Sequence, residues 1–131
     1  MGNITFVGIS GSLRKASRNT GLLRCCAANL PQGVSLEIAD ISALPFYNAD
    51  MEKPAVVQQL VDQVSAAHGL VLACPEYNYS LAPALKNALD WLSREPDLAP
   101  LAGKTVCIVG AGGGMGTSRA QYHLRQVCVF L

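Results

Sequence analysis

The sequence predicts a doubly wound α/β domain, three layers deep, with a parallel sheet between layers of helices. Three observations lead there. The runs Ile4–Ile9, Leu70–Cys74 and Val106–Val109 are apolar, β-rich and non-alternating, and each ends at a turn marked by Gly or Pro. Strands covered on both faces read this way. Segments of helical spacing separate the runs, and the resulting order, βαβαβαβα, calls for right-handed crossovers.

The first strand is followed by Asn19–Leu30, where Leu22, Leu23, Cys26, Ala27 and Leu30 form one stripe and Pro31 stops the helix. "VSLEIADI" (Val34–Ile41) alternates, as an edge strand does. Pro54–Ala67 carries Val57, Leu60, Val61 and Val64 on one face, with Pro54 suited to a first helical turn. After the third strand, Ala82–Leu92 repeats the pattern with Leu85, Ala88, Leu89 and Leu92, and Pro83 stands near its start. Thr117 is placed to cap a last helix bearing Ala120, Leu124, Val127, Cys128 and Leu131. The architecture is therefore flavodoxin-like. Such sheets have strands in the order 2-1-3-4-5, and this chain supplies 2-1-3-4, with the fifth strand absent. The expectation is one domain over residues 1–131, C-terminally incomplete, whose fourth strand is an open edge or is completed from outside the sequence.

At 131 residues, 50% apolar and 15% charged, the chain can bury a core as a single domain. A formal charge of +1 gives no electrostatic case for nucleic acid or an anionic membrane surface. No apolar run is long enough to span a bilayer. The N-terminus enters a strand without a leader-like segment, so the expected location is cytoplasmic. Five cysteines, at positions 25, 26, 74, 107 and 128, show no CxxC spacing and read as reduced core thiols. Cys74 is the one to test for reactivity. His68, His123 and Trp91 read as structural.

In open α/β sheets, ligands bind outside the carboxyl ends of the strands. Three loops meet there. "SGSLRKAS" (Ser10–Ser17) leads into a helix N-terminus, where free N–H groups and the helix dipole favour an anion. Ser12, Ser17, Asn19 and Thr20 add short donors, and Arg14 can add a charge-assisted bond, so a phosphate monoester suits the loop. The alternative is that Ser17 only caps the helix while Arg14, Lys15 and Arg18 face solvent. "PEYNYS" (Pro75–Ser80) offers flat aromatic faces with amide and phenol groups, suited to a planar heterocycle, or it is an ordinary turn. Glu76 is a conceivable general base without an evident partner. "GAGGGMG" (Gly110–Gly116) lacks the GxGxxG spacing, because Met115 stands where Gly is needed. It reads as a loop bare of side chains that lets backbone N–H groups approach a flat ligand.

Taken in order, "GSLRKASRN", "PEYNYSLAPALKNALDWLSR", "LAGKTVCIVG" and "SRAQYHLRQVCVFL" resemble the NADPH-dependent FMN reductase family, in particular its chromate and quinone reductase branch. The resemblance implies non-covalent FMN, hydride from NADPH or NADH, and onward transfer to quinones, azo compounds, flavins or metal oxyanions in ping-pong fashion. It also implies a homodimer or homotetramer acting on small molecules. Carried over by position, Ser10, Ser12, Arg14, Ser17, Asn19 and Thr20 would serve the FMN phosphate. Pro75, Glu76, Tyr77 and Asn78 would line the isoalloxazine, and Gly110, Ala111, Gly112 and Gly113 would meet its other side. No protein catalytic residue and no metal are implied, since the flavin carries the chemistry. The alternative is an FMN-binding electron carrier or regulator without turnover.

Overall fold

The computed structural model describes residues 3–131. Four strands, β1 (Ile4–Ser10), β2 (Val34–Ala39), β3 (Gly69–Ala73) and β6 (Thr105–Val109), form one parallel sheet in the order β2-β1-β3-β6. This is the predicted order 2-1-3-4, with the alternating segment at one edge. Ser10 pairs with Ala73 and Ala73 with Val109, so β1, β3 and β6 end level. Their loops therefore leave the sheet side by side.

Two apolar layers flank the sheet because both faces of the central strands are apolar. On one face, α1 (Arg18–Ala28) buries Leu23 completely against Val71 and Ala73, with Phe6, Leu36, Ile38 and Val109 around it. On the other, Val7, Ile9, Leu70 and Leu72 meet α2 (Ala55–Ala66), α3 (Pro83–Leu92) and α4 (Ser118–Phe130). Val57, Leu60, Val64, Leu85, Leu89, Ala120 and Leu124 are the buried knobs of those helices. Truncating a fully buried leucine here, such as Leu124, costs about 2–5 kcal/mol. Among the described residues β6 has a strand neighbour on one side only, and its Val106 and Cys107 are exposed. No helix among the described residues is long and apolar enough to cross a membrane.

Element boundaries shift where local chemistry intervenes. The first helix stops at Ala28, two residues before the expected end, because the Asn29 backbone N–H turns back to the Cys26 carbonyl and its amide to that of Cys25. Pro54 is the N-cap of α2, one step outside the first turn. The far end of α2 is met by Lys104, whose Nζ donates to the Ala67 carbonyl, a cation where helix carbonyls are unpaired. β2 ends at Ala39, short of Ile41. Trp91 is buried, lies edge-on to Tyr47 at 5.0 Å between ring centroids, and donates to the Pro45 carbonyl. It packs, as expected.

A two-stranded hairpin, β4 (Glu76–Tyr77) with β5 (Ser80–Leu81), occupies what the sequence reads as a loop. Its turn is Asn78–Tyr79, both at positive φ (50° and 67°), the type I′ arrangement that matches strand twist. Asn tolerates that region; Tyr79 costs on the order of 1 kcal/mol there. The Arg119 guanidinium lies 3.7 Å from the centroid of the Tyr79 ring and offsets part of this strain.

Candidate functional site

A cleft of about 310 Å³ opens at the carboxyl edge, where the β1, β3 and β6 loops meet. Its walls include Ser12, Arg14, Ser17 and Asn19 from the first loop, Pro75, Glu76 and Tyr77 from the second, and residues 111–116 from the third. Arg18 and Arg119 also line it.

The first wall is a helix start. Ser17 is the N-cap of α1, with extended backbone and its Oγ accepting from the Thr20 N–H at 3.1 Å. The capping role and the cleft-lining role thus coexist, since the hydroxyl retains its own proton to donate. The N–H groups of Arg18 and Asn19, at the first two helical positions, have no acceptor within the helix. Arg14 and Arg18 are exposed at the same end.

Asn19 has a different position from the one its type suggests. It is buried, its Oδ1 accepts from the Ala111 N–H at 2.9 Å, and its Nδ2 donates to the Ala111 carbonyl at 3.1 Å. It clasps the third loop to the start of α1. Ser10 and Thr20 lie on the far side of the first loop, where the Thr20 hydroxyl donates to Ser10 Oγ at 2.8 Å. They back the first wall and do not line the cleft. Asn78 sits in the hairpin turn, away from the lining.

Glu76 anchors the hairpin to α4. Its carboxylate accepts from the backbone N–H groups of Arg119 (3.1 Å) and Ala120 (3.2 Å), and from Arg119 Nε at 2.7 Å. It therefore does the capping expected of Thr117, whose Oγ1 instead accepts from the Gln121 amide. Desolvation acts to raise the Glu76 pKa, but the Ala120 N–H and the Arg119 side chain and N–H outweigh it, and the pKa lies below its ordinary value. Such a group is a poor base. Burial, with smaller contributions from Glu76 and Cys128, pushes the Cys74 thiol up to about 11, so it is neutral and shielded rather than reactive.

The third loop divides into two kinds of glycine. A Cβ on Gly110 would strike Thr117 Oγ1 and come within 2.8 Å of the Cys74 carbonyl oxygen, so this glycine is required by packing behind the cleft. Gly113 and Gly114 have nothing within 4 Å of such a Cβ and present open backbone. His68 accepts from the Thr5 N–H, and His123 Nδ1 is 2.9 Å from Ser80 Oγ, holding the hairpin to α4. No metal-ligating cluster occurs among the described residues.

Arg18, Met115 and Arg119 were not anticipated. A basic residue directly before a helix start expected to bind an anion is a usable signal for Arg18, which the structure places at the helix's first position. Nothing in the sequence signals Arg119, which reaches the cleft through Glu76 across 43 residues.

A parallel 2-1-3-4 sheet with an anion-ready helix start and an open-backbone slot beside it places the molecule in the flavodoxin-like class of α/β domains. Its family follows from comparison with known proteins. The family model described as NADPH-dependent FMN reductase matches residues 4–131, and the chain belongs to that family. It is 50% identical over 133 residues to an NAD(P)H-dependent FMN reductase of Pseudomonas aeruginosa, covering 98% of this chain and 71% of the relative. A quinone reductase of Escherichia coli K12 is 45% identical over 131 residues, with 95% and 69% covered. Among solved structures, the flavoenzyme NAD(P)H:(acceptor) oxidoreductase FerB of Paracoccus denitrificans superposes with a TM-score of 0.91 at 29% identity, over 97% of this chain and 71% of that one.

Proposed function

We propose that this chain is an FMN-containing reductase that takes reducing equivalents from NADPH or NADH and delivers them to a quinone, azo, flavin or metal-oxyanion acceptor. The observation that carries the reading is a single cleft with an anion-ready helix start at one end and open backbone at the other. The donor set fits a flavin mononucleotide. Ser12, Arg14, Ser17 and the N–H groups of Arg18 and Asn19 would hold the phosphate, charge-assisted and at a helix N-terminus. Pro75, Glu76 and Tyr77 on one side, and Ala111, Gly112 and Gly113 on the other, would flank the ring, with Glu76 contributing through its backbone because its carboxylate is occupied by α4. FMN supplies the hydride-accepting and electron-donating chemistry when bound. The protein's contribution is to orient it and to leave one face open.

That last point separates the reading from an electron carrier without turnover. Tyr77 borders the cleft, but Tyr79 is turned onto Arg119 and the opposite loop carries no aromatic side chain. A ring so placed is screened by an aromatic on one side at most, which leaves room for a nicotinamide and then an acceptor in turn. Visible absorbance of the purified protein tests for flavin, and anaerobic NADPH should bleach it in a single phase. Parallel lines in double-reciprocal plots are expected from shared occupancy of that face; intersecting lines would exclude it, and a spectrum that NADPH leaves unchanged would favour the carrier.

A further inference from the structure

A second cavity, of about 260 Å³, lies on the other side of the first loop, at the carboxyl ends of β1 and β2. Ser12 borders both spaces. Its charged groups are Arg24, from α1, and Asp40, just past β2, and the hydroxyls of Ser10, Ser12, Thr20 and Ser42 also line it. Among the described residues neither makes an ion pair, although both face the same space. Asp40 is held in place: the Ser42 N–H donates to its Oδ1 at 2.9 Å. Side-chain and backbone bonds from Ser42 keep its pKa below the ordinary value, so it is an ionised, acceptor-only group. Beside these charges, Leu13 (57% exposed) and Ile38 supply apolar surface.

The pairing of an unneutralised guanidinium with a fixed carboxylate restricts the ligand. A simple anion would be repelled by Asp40, and a simple cation by Arg24. A neutral sugar would leave Arg24 unused. A ligand carrying hydroxyl donors, a phosphate and a flat apolar base satisfies all three surfaces, and that describes a nucleotide. In dinucleotide-binding α/β sheets a carboxylate beyond the second strand accepts from a ribose hydroxyl; here the first helix start is assigned to the FMN phosphate, so only that carboxylate–ribose contact carries over.

Resting on the reductase reading above, we propose that this cavity seats the adenosine half of the pyridine dinucleotide, with Asp40 accepting from a ribose hydroxyl and Arg24 holding a phosphate. The reduced nicotinamide half would then reach over the shared Ser12 wall into the first cleft. Neither residue lines that cleft, so both can be changed without touching the flavin's donors.

The test uses the FMN-loaded protein. Calorimetric titration with 2′,5′-ADP should show about tenfold weaker binding in Arg24→Ala and in Asp40→Ala, the usual effect of losing a charged hydrogen bond. Stopped-flow reduction should show a raised KM for NADPH at unchanged kcat, while reduced nicotinamide mononucleotide, which lacks the adenosine half, reacts as with the native protein. If Arg24→Ala also weakens 5′-AMP, the guanidinium holds the 5′-phosphate; if only 2′,5′-ADP suffers, it holds the 2′-phosphate; either supports the site. Unchanged 2′,5′-ADP affinity in both variants overturns the proposal, as does equal impairment with the mononucleotide donor. A native protein that neither donor reduces would defeat the reductase reading instead, and the 2′,5′-ADP titration would still decide the cavity.

Discussion

Replacing Ser17 separates a helix cap from a phosphate ligand, because the side chain serves both purposes through different atoms. Its Oγ lone pair accepts from the Thr20 N–H, so Ser17→Ala should cost about 1 kcal/mol of stability with or without ligand. Ser17 lines the cleft and its hydroxyl proton is free to donate there, and loss of a hydrogen bond to a charged group costs about 1.5–3 kcal/mol of binding. Arg14 is exposed and its contribution is screened, so Arg14→Ala should cost nearer 1 kcal/mol. Together the two changes should weaken FMN on the order of a hundredfold. Riboflavin, which lacks the phosphate, should be weakened far less. Ser17→Asp sharpens the contrast: aspartate is a good N-cap and suits the helix dipole, so stability should hold, yet its charge should expel the phosphate. Quenching of flavin fluorescence on titration of the apoprotein measures both ligands, and thermal melting measures the cap. Equal losses for FMN and riboflavin would refute the assignment of the first loop as a phosphate site.

Other consequences follow from the same geometry. The folded-state pKa of Glu76 lies below its ordinary value of about 4.5, so its stabilisation is complete above that value and is lost as pH falls through the lower, folded one. Melting curves of Glu76→Gln should be flatter than native below about pH 4.5 and lower than native at neutral pH; parallel pH profiles would contradict the cap. At pH 8 the exposed Cys25 and Cys107 should react with a disulfide reagent well before buried Cys74, as peptide mapping would show. Gly110→Ala should lower stability by about 1–3 kcal/mol because the new methyl meets Thr117 and the Cys74 carbonyl. Gly113→Ala should leave melting within about 0.5 kcal/mol of native while weakening FMN.

The sheet was legible because burial on both faces writes itself into the sequence as unbroken apolar runs, and the helices because each carries a single stripe. Val34–Ala39 betrayed its edge position by alternating. The hairpin at Glu76–Leu81 left no such trace: its strands are two residues each, and Tyr79 occupies a turn position where Gly is the ordinary signal. A strained tyrosine cannot be foreseen from local preference, because what stabilises it, Arg119, lies 40 residues further on. The same limit explains the misassigned cap. Thr117 has the right type and place, but which oxygen reaches the first N–H groups of α4 is decided by tertiary packing, and Glu76 reaches them.

Two of these distant contacts determine whether the cleft exists before any ligand arrives. Asn19 ties the third loop to α1, and Glu76 ties the second loop to α4, so each wall is pinned to a helix packed on the sheet. Affinity then depends on the residues that pin the walls as well as on those that face the ligand. A donor such as Arg14 sits on an exposed loop and is screened, whereas loss of the Asn19 clasp would free the Ala111 N–H and carbonyl and detach the glycine-rich segment from α1. Gly113 and Gly114 have open space where a side chain would stand, and glycine loses more conformational freedom on ordering than any other residue. The buried Asn19 amide on Ala111 and the Gly116 N–H, which donates to the Gly113 carbonyl at 2.8 Å, together give a loop almost without side chains its defined form.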